Sequence, residues 1–426
     1  MMTLVSTLPA QWPVGTSTSG CPSSAKVVLF YASLYLVAVA QGPDSPCALA
    51  FAADQFDPNH PKEHAARSSL FNWWYFCFTI GVALAIGAVS YVQENLGWGI
   101  GFGMLCAIIL CAFTVFLVGT PTYRLHAPTP GAANPFTLLA RSLVTVVKKK
   151  ADIIQYQLGI IGDEEEDSMA AKQEDAHRVL RMLSIWVSCL PYGVVFAQVM
   201  TLFNKQGRTL DRRIVGTLEL PPAALQVFGP ATILLFVPCY ECALVPLLRC
   251  ATGNPTGLTL LQRLGTGMAL SLAAVSTAAL VEARRLEIAR EHGLADIADA
   301  VVPMSWGWLV PQYVMIGLGC VFGEVGMQEF FYDQMPGELR SLGLALYSSV
   351  IGIGSFISGI LIALIDVVTR NGGGDSWFAD NLNRAHLDYF YWVLAGLSAV
   401  ELALFLWLAS SYTYKKHIIK SLICSE

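Results

Sequence analysis

The 426-residue chain is 54% hydrophobic and only 13% charged, with a mean hydropathy of +0.54, whereas about a quarter of residues are charged in soluble domains. Lipid rather than water is the solvent this composition fits. A net charge of -5, with Lys and Arg scattered along the chain, gives no basic footprint for a phosphate backbone and excludes nucleic acid as a partner.

Stretches of about twenty apolar residues, the length that carries a helix across the hydrocarbon core, recur near 25–50, 70–92, 97–119, 179–204, 222–248, 260–282, 306–334, 339–368 and 386–412. These nine spans predict an all-α, polytopic membrane bundle. Residues 1–9, MMTLVSTLP, read as the last two turns of an earlier helix. Small residues inside the spans, at Gly99, Gly101, Gly103, Gly265, Gly267, Gly352, Gly354 and Gly359, let helix backbones approach and argue for a bundle over isolated anchors. Trp73, Trp74, Trp306, Trp308, Trp392 and Trp407 fall near span ends, where interfacial aromatics belong.

The longest connection, 120–178, contains FTLLARSLVTVVKKK at 136–150, either a helix on the membrane surface or a solvated linker helix. The acidic run Asp163–Asp167 is expected as a solvated loop. With this connection in the cytoplasm, Lys and Arg concentrate on the cytoplasmic side, as the positive-inside rule asks. The expected domains are then 1–119, the remnant of an N-terminal bundle; 120–178, a cytoplasmic linker; 179–414, a complete six-helix bundle; and 415–426, a cytoplasmic tail.

Motifs of soluble enzymes, such as G-x-x-x-x-G-K-[ST], H-E-x-x-H and G-x-S-x-G, are absent from the sequence, so neither ATP-driven pumping nor hydrolysis has its usual signature. No enzyme activity and no cofactor is expected. The eleven cysteines lie in mostly apolar stretches and are read as packing residues. The pair Cys239 and Cys242 lacks the second pair of a zinc set, and the histidines at 60, 64, 126, 177, 292, 386 and 417 fall in loops or at span ends.

The strings QGPDSPCALAFAADQFD (41–57), FNWWYF (71–76), YVQENLGWGIGFG (91–103), TGNPTGLTLLQRLGTG (252–267), VPQY (310–313), VGMQEFFYDQMP (325–336), LRSLGLALYSS (339–349) and NLNRAHLDYFYW (381–392) resemble the plant nitrate and peptide transporter family, a branch of the proton-dependent oligopeptide transporters within the major facilitator superfamily. The resemblance implies that the spans are helices four to twelve of a twelve-helix fold. The family's E-x-x-E-R-[FY] proton motif, on its first helix, is not in this sequence. The family's basic residue on helix four, just before Pro-Cys, is here Ser45, with acidic Asp44 beside it.

Glu329 is the leading candidate for function. An ionisable residue inside a span is costly unless it faces a cavity or a partner, and this one matches the family's helix-ten glutamate, which lines the substrate cavity. Burial and a cationic neighbour act oppositely on a carboxyl's hold on its proton, so solute binding and protonation can be linked there. The bland alternative is a carboxylate hydrogen-bonded at the cytoplasmic end of its helix, and Asp333 reads as interfacial. Tyr192, Gln198 and Gln312 place polar groups in apolar stretches, suited either to a solute cavity or to interhelical hydrogen bonds. No His occurs within 179–204, which disfavours the recognition mode of the family's nitrate-binding member, a histidine on helix seven. Asp54 and Asp57 end the first span and, with Lys62 or Arg67, would form a cytoplasmic gate; the alternative is a solvated helix end. Arg263 and Arg340 read as cytoplasmic contacts or as part of the positive-inside bias.

The function expected is proton-coupled secondary transport of a small polar solute, namely nitrate, a di- or tripeptide or a plant metabolite, with the lipid bilayer, the solute and protons as partners. The location expected is the plasma or vacuolar membrane. The competing expectation is a truncated, non-transporting membrane protein, or an incomplete gene model, that associates with a full-length partner. In that case the missing helices would open the cavity sideways and expose Glu329 to lipid.

Overall fold

A computed structural model describes residues 24–57, 61–124, 163–215, 218–219, 222–253, 257–297, 300–335, 339–371, 376–379 and 381–412. Helix dominates them, because in hydrocarbon a backbone has to satisfy its own polar groups and a helix does so within one segment. Among the described residues, eight helices are long and apolar enough to cross a membrane: Ala66–Gln93, Trp98–Val118, Val179–Arg208, Leu225–Thr252, Leu260–Glu291, Trp306–Gln334, Arg340–Arg370 and Leu387–Ser410. Helix α1, Ser24–Ala53, occupies the place of the first expected span. The early helical turns expected at 1–9, the segment 136–150 and the tail from 415 lie outside the described residues.

Packing divides the chain into two units, residues 1–57 with 77–129, and residues 58–76 with 130–426. In the first are α1, the short α3 (Ser90–Asn95) and α4 (Trp98–Val118). Of α4 only Gly101 is buried, so nearly its whole apolar surface is left for lipid. Phe51 meets Phe116 and Tyr123 edge to face at 5.7 and 5.1 Å, and Gln55 accepts from the Arg124 backbone at 2.8 Å.

The second unit takes the first part of α2 (Pro61–Leu84). It continues with α5 (Asp163–Met200), α6 (Leu202–Arg208), α7 (Phe228–Cys239), α8 (Val245–Thr252), α9 (Leu260–Glu291), α10 (Val310–Gly319), α11 (Val325–Gln334), α12 (Arg340–Asn371) and α13 (Leu387–Ser410). The acidic run expected as a loop instead opens α5, a 38-residue helix. Acid-rich sequence suits a helix N-terminus, where the backbone dipole is positive. Strand β1 (Leu210–Asp211) pairs in parallel with β4 (Val302–Ser305), and β2 (Arg213–Val215) pairs antiparallel with β3 (Leu218–Glu219).

The core of this unit gathers Tyr192, Met268, Phe330, Phe331, Val350 and Phe405. Association of helices in lipid rests on close packing, which small residues permit. A Cβ on Gly267 would run into the backbone of Gly323, and one on Gly354 into that of Gly193. By contrast Gly352 and Gly359 face open space. Cys239 and Cys242 are free and exposed.

Two of the spans in this unit are interrupted by breaks in helical regularity. Single π turns at Tyr240–Leu244 and Cys320–Glu324 join α7 to α8 and α10 to α11. Such turns open the hydrogen-bond ladder and often mark functional positions.

Candidate functional site

Helix α9 starts with a capping box: the Thr259 hydroxyl accepts from the Gln262 backbone at 3.3 Å, and the Gln262 side chain accepts from the Thr259 backbone at 3.1 Å. That fixed start sets Arg263 in the first turn, where a cation opposes the helix dipole. Its partners offset the cost. Arg263 Nη1 donates to Glu329 Oε2 at 3.3 Å. Its Nη2 donates to the carbonyl of Val321 at 3.0 Å, a residue of the second π turn, and also to Asn72 Oδ1. The guanidinium lies 5.0 Å from the Tyr240 ring centroid, a cation–π contact.

From Asn72 the polar chain continues. Its Nδ2 donates to Glu241 Oε1, and the Ser69 hydroxyl donates to Glu241 Oε2 at 3.0 Å. Four helical segments thus converge on Arg263: α2 through Asn72, the first π turn through Tyr240, the second through the Val321 carbonyl, and α11 through Glu329. Between them lies a water-sized cavity lined by Ser68, Asn72, Tyr240, Glu241, Arg263 and Glu329. Glu329 is 3% exposed, so the opening to lipid expected for a truncated bundle is not found around it.

A second ion pair also uses α11, this time with α2. Arg67 of α2 donates to Asp333 Oδ1 at 2.6 Å, with both side chains buried. The Tyr332 ring has Arg67 at 5.4 Å and Arg340 at 5.1 Å. Asp333, read from sequence as interfacial, is therefore buried and paired. Arg67, read as a latch for the first span, is bound to α11.

The remaining predicted residues are not gathered here. Tyr192 is buried, and its backbone N–H donates to Glu401 Oε1 at 3.1 Å. Pro191 precedes it within α5 and breaks the helix's own bonding. Gln198 donates to Ser358 Oγ and to the Val194 carbonyl, both at 2.8 Å. Gln312 donates to Gln206 Oε1 at 3.3 Å. The side chains of Gln198 and Gln312 thus make local or interhelical bonds, whereas the bond to Glu401 comes from the Tyr192 backbone. Ser45 is exposed, Asp54 half-buried and Asp57 exposed, all in the first unit. The side chain of Lys62 lies outside the described residues.

Among the buried carboxylates that sequence reading passed over are Glu324 and Glu401. Glu324 ends the π turn of Cys320–Glu324, and Oε2 accepts from the hydroxyls of Tyr75 at 2.9 Å and Tyr347 at 3.1 Å. Glu401, in α13, is 2% exposed. The rule that singled out Glu329, an ionisable group inside an apolar span, applies equally to both and was the signal available. No group of three or more His, Cys, Asp or Glu side chains able to hold a metal occurs among the described residues.

The profile of the POT family matches residues 3–378. Protein NRT1/PTR FAMILY 5.10 of Arabidopsis thaliana is 44% identical over 98% of this chain and 78% of its own length. Protein NRT1/PTR FAMILY 5.13 of the same plant is also 44% identical, over 95% and 77% respectively. Among solved structures, an auto-inhibited POT family peptide transporter superimposes with a TM-score of 0.57 at 20% identity, covering 88% of this chain and 76% of that one. A peptide transporter POT in complex with sulfate gives a TM-score of 0.51 at 14% identity, covering 85% and 70%. At those identities the likeness speaks to the fold.

Proposed function

The chain belongs to the POT family of membrane transporters, and from that footing we propose that it couples proton movement to the transport of a small polar solute, with Glu329 as the coupling carboxyl and Arg263 as its counter-ion. The observation that carries this reading is the Arg263–Glu329 pair. It is buried inside membrane-spanning helices, is held by one long contact of 3.3 Å, and borders a water-sized cavity. Arg263 Nε has no hydrogen-bond partner among the described residues. A pair this incompletely satisfied is poised to exchange partners, since a buried charge left alone is costly and must find another.

Protonation of Glu329 neutralises one side of the pair and frees the Arg263 guanidinium for an anionic group of the solute. Loss of the proton restores the pair and expels that group. Two helical bundles rocking about the site would deliver each state to a different side. Charges of both signs line the cavity, Arg263 against Glu329 and Glu241, which suits a solute carrying both an anionic and a cationic group. A short peptide or amino-acid-like metabolite fits that description better than nitrate.

Cells expressing the full chain should accumulate a labelled dipeptide under an inward proton gradient, and Glu329→Gln should abolish the gradient-driven part. Unchanged proton-driven uptake in that variant sinks the role given to Glu329. Competition by unlabelled nitrate as strong as that by dipeptide would overturn the solute class.

A further inference from the structure

We propose that Glu324 is a second proton-binding carboxyl, distinct from Glu329, in a site whose packing favours a proton over larger cations. Its purpose rests on the proton-coupled reading, but its test does not. Glu324 is 5% exposed within the span Trp306–Gln334. Its Oε2 is held by two phenol hydroxyls from different helices, Tyr75 of α2 and Tyr347 of α12. Its Oε1 is buried and has no hydrogen-bond partner among the described residues. The Gln328 Oε1, one helical turn onward and so on the same face, is also buried without a partner. Two buried acceptors on one helix face thus lack a donor, and a proton on Glu324 Oε1 would supply one.

No Lys, Arg or His pairs with Glu324 among the described residues. Tyr75 faces it from α2, Tyr192 from α5 and Tyr347 from α12, with Cys320 on its own turn. On α9 the charged group nearest in the fold is Arg263, engaged with Glu329, Asn72 and the Val321 carbonyl. From the Tyr240–Leu244 turn, Tyr240 lies under that guanidinium, and Glu241 is taken by Ser69 and Asn72. An ionised carboxylate without a cation at this depth is strongly disfavoured, so the site calls for a positive charge.

Space decides which one. The Tyr192 ring packs so closely on Gly323 that a Cβ there would lie 3.1 Å from it, and the Gly267 backbone closes the other side. The burial of Glu324, this close packing at the adjacent Gly323 and the absence of Glu324 from the lining of the neighbouring cavity all favour the smallest cation, a proton. The step is proton binding alone: water delivers H⁺ to Oε1, the two phenols keep donating to Oε2, and no other bond changes.

Infrared titration of the purified full-length chain in lipid nanodiscs, with no solute added, tests this. Wild type minus Glu324→Gln should show a protonated-carboxyl C=O band over some pH interval, and Glu329→Gln should retain that band. Identical carboxyl spectra for wild type and Glu324→Gln at every pH overturn the proposal. Should Glu324→Gln fail to fold, Tyr347→Phe decides, because loss of one donor to the carbonyl oxygen must move the band to higher frequency. An unmoved band is the overturning result. Failure of the Glu329 reading would show in dipeptide uptake, a separate measurement.

Discussion

Helix α9 carries two buried arginine–glutamate pairs near its opposite ends, and they are built differently. At one end Arg285 grips Glu282 with two bonds, Nε to Oε2 at 2.9 Å and Nη2 to Oε1 at 2.6 Å. Its other donors go to Asn383 Oδ1 at 2.7 Å and the Leu382 carbonyl at 2.8 Å. Asn383 in turn donates toward the carbonyls of Leu294, Ile297 and Ala300. The guanidinium is fully enclosed and each of its three nitrogens is bonded, tying the end of α9 to two loops. At the other end Arg263 holds Glu329 by a single 3.3 Å contact, keeps an unpartnered Nε and borders a cavity. Planar two-point pairing with every nitrogen bonded gives a fixed clamp. One-point pairing with spare capacity gives a contact that can be traded.

Arg285→Ala should give the largest loss of stability, about 3–5 kcal/mol, because it strands Glu282 in a sealed site. Thermal unfolding of the detergent-solubilised protein would register it, as a fall in melting temperature or as failure to accumulate. Arg263→Ala should cost less, about 1–3 kcal/mol, while abolishing proton-driven dipeptide uptake. If both substitutions destabilise equally and uptake per folded molecule survives Arg263→Ala, the contrast between clamp and tradeable pair is broken. Tyr240→Leu, which removes the ring beneath Arg263, should have the smallest effect, about 1 kcal/mol. Its signature would be a changed apparent affinity for dipeptide at an unchanged maximal rate.

Apolar length alone made the spans legible, since hydrocarbon admits few backbone solutions. Glu329 was legible as well, as a charge within a span. The counter-ion was not. Arg263 follows a loop closely, where a basic residue reads equally as part of the positive-inside bias. Its partners Asn72, Val321 and Glu329 lie far from it in sequence, and apolar spans carry too little periodicity to show which way each helix is turned. The partner of Asp333 was hidden for the same reason: distance from a span end does not reveal a neighbour such as Arg67. The π turns leave no mark in composition, yet they set the directions of Tyr240, Glu241 and Glu324.

The turn at Cys320–Glu324 also constrains how this stretch can change in length. A π turn holds one residue more than the regular helix would, and each residue of an α-helix advances the chain by about 100°. Deleting a single residue there would restore ordinary helix and leave the faces beyond it nearly in register, whereas deleting one from the regular helix that follows would swing everything beyond it around the axis, carrying Glu329 away from Arg263 and Asp333 away from Arg67 together. The turn is therefore a place where one residue can be lost without turning the helix beyond it, and two ion pairs depend on the count of residues in the regular helix that follows.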